Sequence, residues 1–588
     1  MPNPIIEKFH RLYDLTPEKL AFLEDMSLDH PVSLMSDSDL YLKMLFDCRD
    51  DHILIIPDYD PDGIFSGLVL YYALKTLRIG QSVSLYYPLM ADGFGISDKS
   101  VTKALNQFPD TTAILTTDNG ISGHSGVDAA KARGLKVLVS DHHLQQGSLP
   151  SADVVVNPNR VGDAYPYKSI CGTTVIHKLL REYTRVVWPE QLPVIEDLSI
   201  FAGMATVSDV MGVVDENRPL LKRTLERLNT TGWVAGRALT PSPVQPLYRG
   251  LKALLDVLER HDKIYDGVID EGTLGYYVAP MLNAPRRVLV DPTLGFDLFR
   301  ASTEQEAKQL AEDLYQVNLD RRRVVAELME NLGSLNRPQT RKGQVVSLNT
   351  TSGYPGLIAG RLNQQHNEPV IVLGSAPGPW VQGIGPIGGE VVSGSARSPE
   401  WYSIIEGLDR IWKVHPEYFV TYGGHHQAAG VTLHAEYVAA FKAAFQEDIA
   451  PFWEEEARRM DHLGVDDLLL FSLDPHHAGE LVQDVSDFKE FAEYMTTLKP
   501  FGPFFPQPEV GFQFNINDLT TEWMGPKKQH FKATDPKTGL EFILWNGEPL
   551  IKSLRSDDWC CWGYVQLNHF RGTTKVQVSI NWVTGLRL

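Results

Sequence analysis

Ile53-Leu54-Ile55-Ile56-Pro57-Asp58-Tyr59-Asp60-Pro61-Asp62-Gly63 decides the fold. A run of four β-branched or leucine residues reads as a strand buried on both faces. Acids, prolines and a glycine follow at once, and Leu68 to Leu77 then reads as a helix. The same order recurs downstream. Ala113-Ile114-Leu115-Thr116 precedes Asp118-Asn119-Gly120, Gly126 to Arg133 has helical character, and Val137-Leu138-Val139 precedes Asp141-His142-His143. Val154-Val155-Val156 supplies a fourth strand. From Asp51 to about Val214 this is the βαβ alternation of a doubly wound α/β domain. Such domains bind ligands beyond the carboxyl ends of their parallel strands.

Three of these four strands therefore end in metal-ligand residue types. Each group has an ordinary reading by itself. Asp-Xaa-Asp-Gly makes a turn through Asx hydrogen bonds, Asp118-Asn119-Gly120 makes a better turn than a ligand, and a His-His pair often sits on a surface. Turn chemistry gives no reason to place an acid after each strand on one sheet edge. Together the three groups read as a metal site. Carboxylate oxygens suit hard divalent cations, and a histidine nitrogen shifts the preference toward manganese or zinc.

The remaining composition sets limits. The chain has 588 residues, 43% of them hydrophobic, enough for several domains. No early apolar run resembles a signal peptide, and no stretch is long enough to span a bilayer. Cys48, Cys171, Cys560 and Cys561 are too scattered for a disulfide framework, which points to a reduced, cytoplasmic setting. Net charge is −20, unlike a generic nucleic-acid binder. Clustered ligand carboxylates and basic residues confined to one groove reconcile that total with a phosphate-bearing substrate.

Roughly 215–335 reads as mostly helical, with Glu304 to Leu332 as one long helix. Gly333 to Gly343 reads as a linker. A second α/β pattern follows, with Val345–Leu348 and Val370–Leu373 as strands and Tyr437–Phe445 as a helix. From about Pro500 the texture changes to short strands and turns, among them 512–516 and 576–580, which suggests a small β-barrel.

Asp141-His142-His143 is the motif that names the DHH phosphoesterase superfamily, and Ala205-Thr206-Val207-Ser208-Asp209-Val210 resembles its fourth acidic motif. Within that superfamily the chain resembles the RecJ family. The likeness runs through Pro88–Gly95, Cys171-Gly172, Ala279-Pro280-Met281-Leu282-Asn283-Ala284 with Arg287, Gly394-Ser395-Ala396-Arg397-Ser398, Tyr422-Gly423-Gly424-His425, Leu498–Gly502 and Asn568–Gly572. It implies a DHH domain joined by a long helix to a DHH-associated domain, with a terminal OB fold. The corresponding boundaries are an N-terminal helical segment 1–48, a catalytic domain 49–300, a connecting helix 301–335, a DHH-associated domain 336–455, and a linker with the OB fold over 456–588.

Carried over by residue, the resemblance implies that Asp60, Asp62, Asp118, His142 and Asp209 bind one or two manganese or magnesium ions. Asp141 would orient the histidine, and His143 would contact the scissile phosphate. Asp58 reads equally as a further ligand or a turn cap. Asn283, Arg287, Arg361, Ser395, Arg397 and His425 would meet phosphate or DNA. For Ser395 and Arg397 the expectation is a loop whose backbone amides also reach phosphate. In the terminal barrel, Lys527, Lys528, His530, Phe531 and Lys532 cluster near one turn, and Phe570 and Arg571 near another, as a single-strand platform would require. Two departures stand out. Ile56 occupies a position where many DHH enzymes place a histidine that helps hold a second metal, and Tyr354–Arg361 is shorter than the usual family stretch.

The expected activity is 5′-to-3′ degradation of single-stranded DNA to 5′-mononucleotides in repair or recombination, by a monomer that works with a single-strand-binding protein or a helicase. The direction comes from the resemblance alone. The competing readings are a phosphodiesterase of short oligonucleotides or cyclic dinucleotides, against which 500–588 argues, and an inactive DNA-binding scaffold, against which the retained ligands argue. Three further signals are discounted. Gly383–Gly388 formally fits GxGxxG but lacks the strand-to-helix context, Cys560-Cys561 reads as core packing, and Arg321-Arg322-Arg323 reads as a solvated helix face or the wall of a DNA groove.

Overall fold

The computed structural model describes residues 3–585 apart from 89–94, 289–292, 334–342, 349–352, 376–390, 425, 462–467, 478, 483 and 571–572. Most of the loop 88–95, the GxGxxG segment, His425 and Arg571 therefore lie outside the described residues. The chain forms two compact units, one of Asp29–Met211 with Leu220–Arg458, the other of Met1–Leu28, Gly212–Pro219 and Arg459–Leu588.

The larger unit begins with a five-stranded sheet of β1 (His52–Pro57), β2 (Ser82–Leu85), β3 (Ala113–Thr117), β4 (Lys136–Ser140) and β5 (Val154–Val156). The order is β2-β1-β3-β4-β5, and every pair is parallel. Both faces are covered, so the strands are apolar throughout rather than alternating. Leu54, Ile56, Ile114 and Val137 pack with Val101 and Ala104 of the helix Asp98–Gln107 and with Val127 and Ala130 of the helix His124–Lys131. The helix after β1 runs from Pro61 to Thr76, seven residues earlier than its apolar run suggests, because Asp60 caps it with Pro61 as first residue. β2 escaped the sequence reading because it is a short edge strand with only Val83 and Leu85 apolar.

The long helix spans Glu304–Gly333, close to expectation. Beyond it lies a second sheet of β6 (Gln344–Leu348), β7 (Val370–Ser375), β8 (Val391–Arg397), β9 (Phe419–Gly424) and β10 (Ala428–His434) in the order β6-β7-β8-β10-β9. Only β6 and β7 are parallel; the other pairs are antiparallel. Phe441, Phe445 and Ile449 of the helix Val438–Asp461 fill one face with Ile371 and Leu433. Ile358 and Leu362 of the helix Pro355–His366 fill the other with Val370 and Val372.

The smaller unit carries β11 (Leu470–Ser472), β12 (Glu480–Leu481), β13 (Val510–Asn515), β14 (Thr520–Met524), β15 (His530–Thr534), β16 (Glu541–Leu544), β17 (Asp558–Phe570) and β18 (Thr573–Gly585). They form one sheet in the order β12-β11-β13-β17-β18-β16-β15-β14. Cys560 and Cys561 are both buried, and Cys561 lies opposite Phe512. The segment 1–48 is not one body, since its first part belongs to this unit. Asn3 caps the helix Pro4–Leu12, whose Ile5 and Phe9 form a stripe that buries against Phe491. Arg218, 1% exposed, donates to the carbonyls of Leu23, Leu498 and Pro500 and ties three segments together.

Among the described residues no helix is long and apolar enough to cross a membrane.

Candidate metal centre

Because β1, β3 and β4 are parallel neighbours, their carboxyl ends share one edge. Each strand is continued by one further hydrogen bond at the acid. Asp58 N–H donates to the Thr117 carbonyl, Asp118 N–H to Ser140 and Asp141 N–H to Val156. Asn119 then makes the turn that its sequence suggests, bonding the Ile56 and Thr117 carbonyls and the Ile96 N–H. Asp118 itself sits at φ +60°, a region aspartate tolerates better than most residues.

The cap of the helix Pro61–Thr76 is Asp60, whose carboxylate accepts the Gly63 N–H, and not Asp58. Asp62, the second residue of that helix, is fully buried. Its carboxylate accepts the N–H of Gly172 at 2.6 Å, the N–H of Thr173 at 2.9 Å and the Thr173 hydroxyl at 2.5 Å. The N-terminus of the helix Gly172–Val187 thus holds this charge with its free amides. Gly172 is required there, since a Cβ on it would stand 2.6 Å from the Asp118 Cβ. Asp209 arrives from the end of the helix Ser199–Ser208.

These side chains converge on His142. Its Nε2 lies 3.0 Å from Asp118 Oδ1, 3.4 Å from Asp209 Oδ2 and 3.7 Å from Asp62 Oδ2. Asp58 Oδ1, Asp118 Oδ1 and His142 Nε2 are buried and accept or donate no hydrogen bond. Buried polar atoms that face one another without pairing fit a shared cation, and the donor set of carboxylates with one imidazole suits a divalent one. Asp62 with His142 and Asp209, Asp118 with His142 and His143, and Asp58 with Asp60 and Asp118 each bring three ligand atoms within 4.8 Å of one another.

The electrostatics agree. Burial, then the charges of Asp62 and Asp60, push Asp118 and Asp209 well above the usual carboxylate range. Burial and Asp60 raise Asp58 to about 7. Burial lowers His142. A cation would stabilise the charged carboxylates and the neutral imidazole together. Ile56 is fully buried in the core under the sheet and supplies no ligand, while Asp58 places a further carboxylate oxygen within 4.8 Å of those of Asp60 and Asp118.

Asp141 corrects an expectation. Its Oδ2 accepts the Ile121 N–H at 2.8 Å, and its Oδ1 accepts the N–H of His142 and of His143 and the Nδ1 of His143, the last at 2.8 Å. It orients the His143 ring and not that of His142. Burial works against both charges, yet His143 draws Asp141 down to about 2 and Asp141 raises His143 to about 10. Asn157 and Asn159, just past β5, donate to the carbonyls of His143 and His142. β5 thus ends in residues that hold the backbone of the motif, and the same end-of-strand rule would have found them.

Of the anion-binding candidates, Ser395 and Arg397 lie in β8 and not in a loop. Their backbone groups sit between β7 and β10, so the ladder leaves only the side chains for other contacts. They adjoin the start of the helix Pro355–His366, where a Cβ on Gly356 would stand 3.3 Å from Ser395 Oγ and 3.4 Å from Arg397 Nη2. Arg361 is on that helix. Arg287 donates to the Gly353 carbonyl, and burial with the neighbouring Arg286 and Arg397 lowers it to about 9. Burial and Arg322 lower Arg321 to about 10, so this arginine is not on a fully solvated face. Asn283 Oδ1 is buried without a partner. Lys532 is held by Glu522 at 3.3 Å and Glu541 at 3.2 Å, which occupies its charge.

Comparison with known proteins agrees with this architecture. Residues 52–200 match the DHH family, N-terminal domain, and residues 482–581 match the RecJ OB domain. The chain is 28% identical over 550 residues to the single-stranded-DNA-specific exonuclease RecJ of Haemophilus influenzae, covering 90% of this chain and 87% of that protein. It is 26% identical over 556 residues to the protein of that name from Escherichia coli, covering 90% and 86%. The crystal structure of Thermus thermophilus RecJ in complex with Mn2+ superposes with a TM-score of 0.72 at 19% identity, covering all of this chain and 76% of that one. The chain thus carries a stretch similar to the DHH family's N-terminal domain and another similar to the RecJ OB domain, and it resembles RecJ proteins over about nine-tenths of its length.

Proposed function

We propose that the protein is a metal-dependent exonuclease that hydrolyses single-stranded DNA from the 5′ end to 5′-mononucleotides. The observation that carries the reading is the convergence of Asp60, Asp62, Asp118, His142 and Asp209, with Asp58 beside them, around buried ligand atoms that have no protein partner. Those residues would hold manganese or magnesium, the ions named for the T. thermophilus structures. Such an ion supplies a more acidic water and offsets negative charge at phosphorus. The chain's own groups do the rest. His143, kept protonated by Asp141, offers a cationic N–H to a phosphate oxygen. Arg287, Arg361 and Arg397, with Asn283 and Ser395, hold the strand's phosphates, and His425 completes that set. The terminal unit, with Arg571, binds the single strand. The protein acts as a cytoplasmic monomer in DNA repair or recombination, alongside a single-strand-binding protein or a helicase.

The test is single-stranded DNA labelled at its 5′ or its 3′ end, incubated with manganese, magnesium or EDTA. The expected result is metal-dependent release of mononucleotide from the 5′ label first, absent in Asp141→Ala/His142→Ala. Intact DNA in every metal would sink the reading.

A further inference from the structure

Arg286 and Arg287 are adjacent on the helix Ala279–Val288, and the structure gives their charges different surroundings. Arg287 reaches the Gly353 carbonyl at 3.4 Å. The Arg286 guanidinium lies over the Tyr59 ring, 5.0 Å from its centroid. Tyr59 is the residue between Asp58 and Asp60, and it is itself buried. The Tyr87 hydroxyl donates to the Tyr59 carbonyl and steadies this platform.

Three facts separate Arg286 from an ordinary surface cation. Its Nε is buried and has no hydrogen-bond partner. Among the described residues no carboxylate lies within 4.0 Å of it, although Asp58 is close enough for the two charges to interact. One turn earlier on the same helix face, Asn283 Oδ1 is also buried and unpaired, and across from them so is Asp58 Oδ1.

A guanidinium that served only as counter-ion to the neighbouring carboxylates would close onto one of them as a forked ion pair, because that geometry recovers the most desolvation cost. Arg286 does not. It is instead braced on an aromatic face with its inner N–H unspent. That arrangement preserves a planar pair of donors for an incoming oxyanion. Filling the carboxylates with divalent ions would also cancel the attraction of Asp58 for Arg286 and leave the guanidinium for phosphate.

We propose that Arg286, braced on Tyr59, binds the non-bridging oxygens of the phosphate at the metal centre, in the substrate and in the mononucleotide product. The proposal rests on the nuclease reading for its substrate and on the local geometry for its ligand class, an organic phosphate monoester or diester.

The test uses the full-length protein with thymidine 5′-monophosphate as probe, titrated calorimetrically with manganese present. Wild type is compared with Arg286→Gln and Arg286→Lys, and thymidine serves as the phosphate-free control. A separate titration follows Mn2+ alone. Arg286→Gln should weaken thymidine monophosphate at least about tenfold, the scale of one lost charge-assisted pair of hydrogen bonds. Arg286→Lys should recover part of that loss by keeping the charge without the fork. On DNA the same variants should lose activity in the same order.

Unchanged thymidine monophosphate affinity in Arg286→Gln, together with tighter Mn2+ binding, would mark Arg286 as a counter-ion and overturn the proposal. If Arg286→Gln fails to fold, Arg286→Lys decides by the same titration, since affinity equal to wild type excludes a forked contact. Should the wild type cleave no DNA while thymidine monophosphate binding still depends on Arg286, the nuclease reading fails and the phosphate assignment stands.

Discussion

Asp141 Oδ1 accepts the Nδ1 proton of His143 at 2.8 Å and, at the same oxygen, the backbone N–H groups of His142 and His143. The carboxylate therefore sets the proton, the ring angle and the main-chain course of the motif at once. It also keeps His143 cationic, up to about 10, although burial works against the charge.

This gives a first prediction. Asp141→Asn removes the charge that holds the His143 proton, and His143 then titrates nearer its ordinary value of 6.5. In wild type the His143 charge persists as the pH rises through the neutral range. In the variant it is lost there, so cleavage should fall between about pH 7 and pH 9 relative to its rate near pH 6. A pH–rate profile of each protein checks this; parallel profiles would remove His143 protonation from the mechanism.

The second prediction concerns metal loading. Burial and then Asp60 raise Asp58 to about 7, and burial with the charges of Asp62 and Asp60 pushes Asp118 and Asp209 well above the carboxylate range. Below those values the ligands carry protons that a cation must displace. Mn2+ affinity should thus weaken as pH falls from about 8 to about 6, by roughly tenfold per unit for each proton displaced. Calorimetry in two buffers of different ionisation heat counts the protons, and a count of zero would contradict the crowded-carboxylate account.

The third isolates the helix end that cradles Asp62. Gly172→Ala places a methyl group 2.6 Å from the Asp118 Cβ and from Asp118 Oδ1. Asp118 must move, so Mn2+ affinity should drop by roughly 10–100-fold, the cost typical of disturbed ligand support. Thermal unfolding should show a loss of comparable size, about 1–3 kcal/mol. Unaltered Mn2+ binding would mean that Asp118 is not a ligand.

The fourth lies away from the chemistry. His177 is 4% exposed, bonds the Ile195 carbonyl at 2.9 Å, and is pulled down to about 3 by burial and by Arg181. Its folded value lies below its unfolded one, so the unfolded chain takes up the proton first. Stability is complete above about pH 6.5 and falls as the pH drops toward 3, by about 2 kcal/mol at about pH 5. His177→Gln keeps a donor for Ile195 without titrating, and its urea midpoint should change less than wild type between pH 7 and pH 5. An identical drop in both proteins would acquit His177.

Much of the catalytic domain was legible from strand ends. Periodicity located β1, β3, β4 and β5, and an acid directly after a buried parallel strand has only one sheet edge to occupy. Asp60, Asp62, Asp118 and His142 follow from that rule, as do Asn157 and Asn159, which were overlooked because amides rarely signal a metal site. Ser395 and Arg397 were misread as loop residues because Gly394 and Ser395 suit turns, whereas pairing with β7 and β10 overrides that local preference.

By itself the sequence located β1, β3, β4 and β5, the acids that end three of them and the long helix Glu304–Gly333, because periodicity and turn chemistry are local properties. Tertiary structure decided everything that depends on which side chains meet. It turned Asp141 to His143, set Arg286 over Tyr59 while Arg287 met Gly353, spent the charge of Lys532 on Glu522 and Glu541, and packed Phe9 against Phe491 some 480 residues away in the chain. Neighbouring residues of identical type take different roles there because electrostatic and packing energies depend on distance in space, to which sequence separation is blind.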